Sequence, residues 1–461
     1  MNKKGEVKMK KLLVFMLIGF MALVLVACGG DLPTEGGKTL VIRAWNDEFQ
    51  QRFRDYYPDF VETNNDGDDV LKDGTIVKWV IVANAENAYQ NALDTALLNQ
   101  EKIDREERID LFLIEADYAL KYVNSPYSLD IKADLGITDA QLSNQYQYTK
   151  DIVTSSDGKL KGTSWQATPG LFAYRADIAE EVLGTSDPDE VQEFIKDWDT
   201  FEDTAVDMKA EGYNMLAGYD DAYRVFANNM STPWVNANDE IVVDDNILNW
   251  IEQTKTFTDN DYNLGASLWD SVWQAQQGPT GTTFGFFYST WGINFTLLGN
   301  SLADANAPKE PGNGLYGEWR VAKGPQSWYW GGTWIVGAKH SDNRELVKDI
   351  MLKLTTDKAI MKQITIDTQD YTNHKAAMLE LANDPEFGSD FLGGQNHIAL
   401  FVESANAISL DSISPYDQGI TETLQSAMRD YFSGESTLDE AWDTFYENVI
   451  VKYPNLKRKT S

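Results

Sequence analysis

The chain has 461 residues, of which 43% are hydrophobic and 12% aromatic, and it carries a formal net charge of −33 at pH 7. This composition suffices for a globular core of about two or three domains and excludes wholesale disorder. The strong negative charge repels phosphate backbones and anionic headgroups, so it argues against a nucleic-acid-binding protein.

The first segment of the chain differs from the rest. Five lysines between residues 3 and 11 precede an unbroken apolar run from Leu12 to Ala27. This run is short for a membrane span but has the anatomy of a secretory signal, so we interpret residues 1–27 as a signal peptide. Without them the chain holds 34 basic and 71 acidic residues, a formal charge of −37.

Cys28 is the only cysteine in the sequence and ends the apolar run in the tetrapeptide LVAC. A catalytic thiol needs a neighbouring base and a pocket, and a single cysteine forms no internal disulfide. The tetrapeptide resembles the bacterial lipoprotein signal, in which cleavage precedes the cysteine and its sulfur receives a diacylglycerol. The resemblance implies a lipid anchor at Cys28, with the small polar residues 28–38 as a flexible tether.

Three predicted strands alternate with helices in the first part of the chain. The strands cover residues 40–45, 76–82 and 109–114, and apolar residues at helical spacing occupy 46–60 and 86–100. Strand-helix-strand-helix-strand order with crossovers of this size predicts a right-handed parallel sheet covered by helices, hence an α/β fold.

Two loops follow the carboxyl ends of the first and third predicted strands. They read WNDE at 45–48 and EADY at 115–118. Ligands of parallel α/β sheets bind beyond these strand ends, and carboxylates beside an aromatic ring suit a polyhydroxylated ligand. Asp47 and Glu48 also fit a second interpretation, as acidic residues stabilised by a helix N-terminus.

The rest of the chain changes character twice. Turns and strands begin at residue 157, and the tail from residue 343 is mainly helical. Thr437 and Glu440 have the spacing of a capping box at the start of the last helix. No linker rich in proline and serine separates the halves, so we expect two α/β bodies that share crossing strands.

Four segments carry a resemblance to a known family. They are DGKLKGTSWQATPGLFAYRADI (157–178), AGYDDAYRVFANNMSTPWV (217–235), GFFYSTWGINF (285–295) and WGGTWIVGAKHSDNRELVKDIMLKLTTDKA (330–359). In this order, and behind a lipoprotein signal, they resemble the extracellular solute-binding proteins of carbohydrate ABC importers, the group that includes maltose-binding protein. The resemblance covers essentially all of residues 28–461, and it rests on the ordered set because no single motif is highly specific.

The resemblance implies a two-lobed fold of the periplasmic-binding-protein type, class II, whose lobes are joined by crossing hinge strands and close on a ligand. It places the crossings near residues 162–170, 331–337 and 371–375. The implied division is 39–165 plus 334–373 for lobe 1 and 166–333 plus 374–461 for lobe 2.

The resemblance also implies a sugar site in the cleft, where aromatic rings meet C–H faces and polar groups meet hydroxyls. The predicted ligand-binding residues are Trp45, Asn46, Asp47, Glu48, Glu115, Asp117, Trp165, Gln166, Tyr219, Asp220, Asp221, Trp291, Trp330, Gly331 and Gly332. In the stretch WYWGGTW we expect Trp330 rather than Trp328 to face the ligand, Trp334 to be strand core, and the glycines to admit close backbone approach. Core packing remains the alternative for each tryptophan, and a solvated turn for Asp220 and Asp221.

The predicted function is that of the lipid-anchored substrate-binding component of a carbohydrate ABC importer, on the extracellular or periplasmic side of the membrane. The expected partners of this non-enzymatic, cofactor-free monomer are a sugar or oligosaccharide, the permease, and the membrane through Cys28. A surface-anchored glycoside hydrolase and a receptor for another polar solute, such as a polyol, remain alternatives. The three histidines lie in no zinc pattern, and calcium in the EF-hand-like segment 62–73 stays open because its first and last acids are of the wrong type.

Overall fold

A computed structural model of the chain describes residues 38–410 and 412–459. The predicted signal peptide, Cys28 and residues 28–37 of the predicted tether lie outside the described residues. Within the described ranges, no helix combines the length and the apolar character that crossing a bilayer requires.

The described residues form twelve strands and a larger set of helices. The strands are β1 (Thr39–Ala44), β2 (Phe60–Thr63), β3 (Asp69–Leu71), β4 (Ile76–Ile81), β5 (Ile109–Glu115), β6 (Gly162–Ser164), β7 (Gly170–Arg175), β8 (Glu240–Ile241), β9 (Gly285–Ser289), β10 (Trp319–Ala322), β11 (Thr333–Gly337) and β12 (Lys457–Arg458). The α-helices are Glu48–Tyr56, Ala88–Asn99, Ala119–Val123, Gln147–Asp151, Ala176–Leu183, Pro188–Phe194, Trp198–Ala210, Tyr223–Ala227, Asp245–Asp259, Ser271–Ala275, Thr290–Gly292, Leu298–Ser301, Arg344–Thr356, Lys358–Thr368, Lys375–Ala382, His397–Ala407, Asp417–Phe432 and Leu438–Lys452. A π-helix covers Ile293–Leu297, and 3₁₀ turns cover Ala85–Asn87, Gln100–Lys102, Arg105–Glu107, Ala116–Tyr118 and Asp390–Leu392.

The larger sheet of the described residues has seven strands in the order β2-β3-β4-β1-β5-β11-β6. β1 is parallel to β4 and to β5, with Thr39 opposite Ile76 and Ile42 opposite Leu111. The predicted parallel core is therefore confirmed. The complete sheet is mixed, because the β2–β3 hairpin lies on one side of the core and the antiparallel β11 pairs with β5 on the other.

The burial of their side chains agrees with the positions of these elements in the first body. Every residue of β5 from Ile109 to Ile114 is buried, as expected for a strand covered on both faces. The helix Glu48–Tyr56 buries Phe49 and Phe53, four residues apart on one face. Asp47 occupies its N-cap position, but the side chain that accepts from the backbone N–H of Glu48 is that of Asn46, at 3.3 Å.

A second body is built around the antiparallel sheet β10-β7-β9, with the pair β12-β8 apart from it. β7 and β9 are buried along their whole length. The last helix, Leu438–Lys452, has the predicted capping box of Thr437 and Glu440. The two-lobed α/β fold class predicted from sequence agrees with this architecture.

Three chain segments connect the two bodies side by side. The chain leaves the larger sheet after β6, returns to it at β11, and passes the same place again near residue 372. Isolated bridges join Gln166 to Thr372 and Pro169 to Tyr329. Asn373 fixes the crossing because its Nδ2 donates to the carbonyl of Ser164 at 3.1 Å and its backbone N–H to that of Trp165 at 2.8 Å.

Candidate ligand-binding site

A cavity of about 800 Å³ lies where the two bodies meet, beyond the carboxyl ends of β1 and β5. Its floor is the crossing at Gln166 and Gly331–Thr333. The predicted residues that line it are Trp45, Asn46, Asp47, Glu48, Glu115, Asp117, Gln166, Asp220, Trp291, Trp330, Gly331 and Gly332. These residues are distant in sequence, and the folded chain brings them to one surface.

Three indoles form one wall of this cavity. The ring centroids of Trp291 and Trp330 are 5.2 Å apart with an interplanar angle of 68°, and Trp269 lies 6.2 Å from Trp291 at 20°. Trp291 is held in place because its Nε1–H donates to the carbonyl of Trp330 at 2.9 Å. Trp45 lines the same cavity from the first body and is packed edge-on against Tyr89 and Tyr118. Ring faces on both sides suit a ligand with apolar C–H patches.

The glycine pair in the floor keeps this wall open. Gly331 and Gly332 have φ of +66° and +108°, a region that residues with side chains rarely adopt. A Cβ on Gly331 would lie 3.3 Å from Nε1 of Trp291 and 3.4 Å from Oε1 of Glu115. The backbone of Gly331 is further fixed by Thr168, whose hydroxyl donates to its carbonyl at 2.8 Å. The glycines therefore let the backbone itself form part of the binding surface.

Gln166 connects the first body to both returning segments. Its Nε2 donates to Oε1 of Glu48 and to Oδ2 of Asp370, each at 3.0 Å, and its Oε1 accepts from the backbone N–H of Thr333 at 3.1 Å. Burial and the neighbouring charge of Asp370 raise the pKa of Glu48 to about 7. This corner offers carboxyl and amide oxygens whose directions are fixed by the hydrogen bonds of Gln166.

A charged cluster spans the cavity between the two bodies. The guanidinium of Arg224 donates to both carboxylate oxygens of Asp117, at 3.1 and 2.8 Å, and lies 5.1 Å from the ring centroid of Trp330. Burial, reinforced by the charge of Asp117, raises the pKa of Glu115 to about 8, although Arg224 opposes the shift. Oε2 of Glu115 accepts from the backbone N–H of Asp117 at 2.8 Å.

The adjacent aspartates Asp220 and Asp221 have different surroundings. Asp220 lines the cavity, and its Oδ2 accepts from Arg429 at 3.3 Å. Asp221 turns away and accepts from Trp273 Nε1 at 2.7 Å and from the backbone N–H of Gly218 at 2.7 Å. Burial raises the pKa of both carboxyls, that of Asp221 to about 7. Asp221 therefore holds the loop that presents Asp220.

The structure places three predicted residues outside the cavity lining. Trp165 is buried and stacks on Phe49 with ring centroids 5.1 Å apart, because its neighbour Gln166 takes the cavity side of the extended crossing. Asp221 is turned into its own loop as described above. Tyr219 packs against Phe432, the last residue of the helix Asp417–Phe432, with ring centroids 5.5 Å apart.

The tryptophans of the stretch WYWGGTW lie in different surroundings. Trp330 reaches the cavity, whereas Trp328 is buried directly over Gly170, where a Cβ would meet the indole at 2.0 Å. Trp334 is buried in β11, and its Nε1–H donates to the carbonyl of Thr149 at 2.7 Å.

Several residues of the cavity surface are not among those predicted from the sequence. They are Arg52, Arg224, Trp269, Asn294, Phe295, Asp370, Gln418, Thr421, Gln425 and Arg429, among others. The last four recur at helical spacing on the helix Asp417–Phe432, and this pattern of polar residues in the sequence indicates one polar helix face. Arg224 lay within a recognised motif, but its partner Asp117 is 107 residues away.

The EF-hand-like segment 62–73 forms the β2–β3 hairpin. Oδ1 of Asn64 accepts from the backbone N–H groups of Asp66 and Asp68, at 2.9 and 3.0 Å. Asp69 pairs with Arg54 at 2.9 Å. Across residues 38–410 and 412–459, no group of three or more His, Cys, Asp or Glu side chains is placed to hold a metal ion.

The raised pKa values of the cavity glutamates predict a pH-dependent stability. An unfolded glutamate has a pKa of about 4.3, so between that value and the folded pKa the unfolded state has lost a proton that the folded state keeps. The stabilising contribution of Glu115 is therefore present at low pH and is lost as pH rises through about 8, and that of Glu48 through about 7. We expect the free energy of unfolding of the ligand-free protein to fall between about pH 5 and 8, and Glu115→Gln to flatten this dependence.

Urea denaturation at several pH values measures this effect. Glu62→Gln, at an exposed position, is the matched control and is expected to keep the slope of the unaltered protein. A Glu115→Gln variant with the same pH slope as that control contradicts the assignment.

No protein-family model matches the chain, and a comparison with curated protein sequences gives no match. Solved structures do resemble it. A structure described as an extracellular solute-binding protein of family 1 has a TM-score of 0.70 and 16% identity, covering 89% of this chain and 98% of its own.

Two solved structures of proteins with a bound sugar resemble this chain to a similar degree. A binding protein associated with an ABC transporter of B. animalis subsp. lactis, in complex with β-1,6-galactobiose, has a TM-score of 0.63 and 18% identity, over 92% of this chain and 100% of its own. The galacto-N-biose- and lacto-N-biose I-binding protein of a Bifidobacterium longum ABC transporter, in complex with lacto-N-biose, has a TM-score of 0.65 and 14% identity over the same shares. At identities this low, the structural likeness establishes the architecture alone. The chain therefore has the two-lobed fold of the extracellular solute-binding proteins of family 1.

Proposed function

We propose that this chain is the lipid-anchored, extracellular substrate-binding component of a carbohydrate ABC importer. It captures a neutral sugar or oligosaccharide between its two bodies and delivers it to a permease without making or breaking a bond. The observation that carries this proposal is the cavity of about 800 Å³, whose lining alternates indole faces with carboxylates and amides. That volume lies in the upper part of the range of about 300–1,000 Å³ usual for small-molecule sites.

An unused hydrogen-bonding group in the lining supports a polar ligand. In the lining as the structure describes it, the hydroxyl of Thr290 is buried and has no hydrogen-bond partner. A buried polar atom without a partner is costly, and a ligand hydroxyl that reaches it removes that cost. The sugars bound by proteins of the same fold, β-1,6-galactobiose and lacto-N-biose, also support a glycan ligand.

A binding panel tests the function. Mono- to tetrasaccharides of the gluco, galacto and N-acetylhexosamine series, together with polyols, are titrated by calorimetry, and each mixture is then analysed for products. Saturable binding with the sugar recovered intact is the expected result. Release of shorter sugars would favour the glycoside hydrolase, and binding of polyols alone would redirect the proposal to another solute class.

The anchor and the permease partner rest on the sequence resemblance at Cys28 and along the motifs. Labelling of the expressed chain with a radioactive fatty acid, followed by membrane fractionation, tests the anchor. We place the protein on the outer face of the cytoplasmic membrane as a monomer. Sedimentation of the protein expressed without the predicted signal peptide and Cys28 tests the oligomeric state.

The charges of the cavity predict selection against acidic sugars. Among its described lining residues, six carboxylates face three arginines, and each arginine has a carboxylate partner: Arg52 with Glu48, Arg224 with Asp117, and Arg429 with Asp220. Since each guanidinium of this lining already has a carboxyl partner and the carboxyl groups are in excess, a ligand carboxylate adds to a negative field. Replacing one unit of the best neutral oligosaccharide by its uronic acid is expected to weaken binding by about tenfold or more.

Calorimetry with a matched pair of neutral and acidic oligosaccharides at pH 7 measures this difference. Equal or tighter binding of the acidic sugar contradicts the charge argument. Repetition at high salt gives a control, because screening should reduce the difference.

A further inference from the structure

We infer that Trp269 and Phe295 form an outer aromatic platform at the mouth of the cavity, and that they select an extended glycan over a mono- or disaccharide. This inference rests on the proposed sugar-binding function and names the ligand class for that site. Trp269 lies outside the family segments, and Phe295 ends the segment GFFYSTWGINF without being one of the predicted ligand contacts.

The backbone of Trp269 is in an unusual conformation. Its φ of +72° lies in the left-handed region, where a bulky side chain is a genuine outlier. Such conformations persist only where the surrounding structure enforces them, and they concentrate at ligand sites. Here Asp270 enforces the turn, since its Oδ2 accepts from the backbone N–H of Ser267 at 2.9 Å and its Oδ1 from that of Trp273 at 2.7 Å. The carbonyl of Trp269 also accepts from Gln274 Nε2 at 2.7 Å.

The consequence of this turn is the direction of the indole. The ring of Trp269 is 5.3 Å from that of Trp273 and 5.6 Å from that of Trp330, yet 45% of the residue stays exposed. Its plane is within 20° of the plane of Trp291. The buried Trp273 therefore supports the ring from behind while its remaining surface continues the indole wall outward.

Exposure increases outward along the aromatic residues of the second body. Trp330 at the floor is 7% exposed, Trp269 is 45% exposed and Phe295 is 78% exposed, and all three line the same cavity. Phe295 lies on the π-helix Ile293–Leu297, one turn beyond Trp291. π-turns are rare and frequently occur at functional sites, where they redirect side chains. The inner rings suit a sugar enclosed by the cavity, and the outer rings suit a unit that extends from it.

The chemistry of the platform indicates the class of ligand it accepts. Aromatic faces provide area without charge, so the outer unit is recognised by its C–H face rather than by ionic groups. Nearly half of Trp269 and most of Phe295 are exposed, so their surfaces are available to a sugar unit that extends from the cavity. The ligand that uses both zones is a neutral linear oligosaccharide of about three or more units, in a cavity near the upper end of the usual size range.

A ladder experiment tests the inference. Linear mono- to tetrasaccharides of the maltose series and of the β-1,6-galactose series are titrated by calorimetry into the unaltered protein, Trp269→Ala, Trp269→Tyr and Phe295→Ala. In the series that binds, we expect the unaltered protein to gain at least about fivefold in affinity from the disaccharide to the longer members. Trp269→Ala is expected to lose about tenfold for the longer members and clearly less for the disaccharide, so that the gain in affinity with length disappears.

The other variants separate ring loss from misfolding. Phe295→Ala changes a mostly exposed side chain, so its melting temperature should be unchanged while it shows the same length-selective loss. Trp269→Tyr keeps an aromatic ring and should recover part of the affinity for long sugars. An equal loss at all lengths, or no length dependence in the unaltered protein, overturns the inference. If no sugar of the wider panel binds the unaltered protein, the proposed function fails and this inference falls with it.

Discussion

Replacing Trp291 by alanine is expected to weaken binding of the best neutral oligosaccharide by about ten- to a hundredfold. The indole lies at the centre of the cavity wall, 5.2 Å from Trp330 and 6.2 Å from Trp269. Its removal takes away one stacking surface and also the donor that fixes the carbonyl of Trp330. The loss of buried apolar area alone accounts for about 1.5–3 kcal/mol, and the altered wall adds to it.

Calorimetric titration of the folded variant measures this effect. Trp442→Ala is the matched control, because this half-buried tryptophan packs on Phe445 in the last helix and does not line the cavity. The control is expected to bind sugar as the unaltered protein does, even where its melting temperature falls. Unchanged affinity in Trp291→Ala would show that the ligand does not occupy the indole wall.

Replacing Arg224 by methionine is expected to lower sugar affinity by about tenfold or more. Asp117 follows β5 of the first body, whereas Arg224 lies on the helix Tyr223–Ala227 of the second, so their ion pair joins the bodies across the cavity. Without the guanidinium, the carboxyls of Glu115 and Asp117 face each other with no counter-charge. Approach of the two bodies around a ligand then becomes less favourable.

A double-mutant cycle separates this effect from a direct contact with the ligand. The variant Arg224→Met with Asp117→Asn removes both charges and should recover most of the lost affinity. Arg224→Lys keeps the charge without the two-pronged geometry and is expected to be intermediate. If the double variant binds as weakly as Arg224→Met alone, the arginine acts on the sugar itself and the interbody role is wrong.

The sequence was informative where structure is local. Runs rich in apolar and β-branched residues located β1, β4 and β5 to within about a residue, although only β1 and β5 are largely buried and β4 buries Val77 alone. The positions of Asn46, Glu48, Glu115 and Asp117 in the cavity follow from the same reasoning, since they come directly after strand ends.

The remainder depends on geometry that neighbouring residues do not encode. Trp165 and Gln166 are adjacent, and each side chain carries a polar group. Because side chains alternate in an extended segment, Trp165 lies in the core whereas Gln166 lines the cavity. The direction of the Trp269 ring depends on a left-handed backbone conformation that Asp270 holds in place. An aspartate before a helix is common, so its presence in the sequence does not indicate this conformation. Arg224 becomes part of the site only through a partner on the other body.

The position of β11 has a consequence for the order in which the chain can fold. β5 ends at residue 115, and the strand that pairs with its free edge begins only at residue 333. During synthesis from the N-terminus, the middle of the larger sheet stays incomplete until most of the chain has emerged, and such non-local pairing is slow. For a protein proposed to be exported behind a signal peptide, this late pairing leaves the larger sheet unfinished while most of the chain is being made.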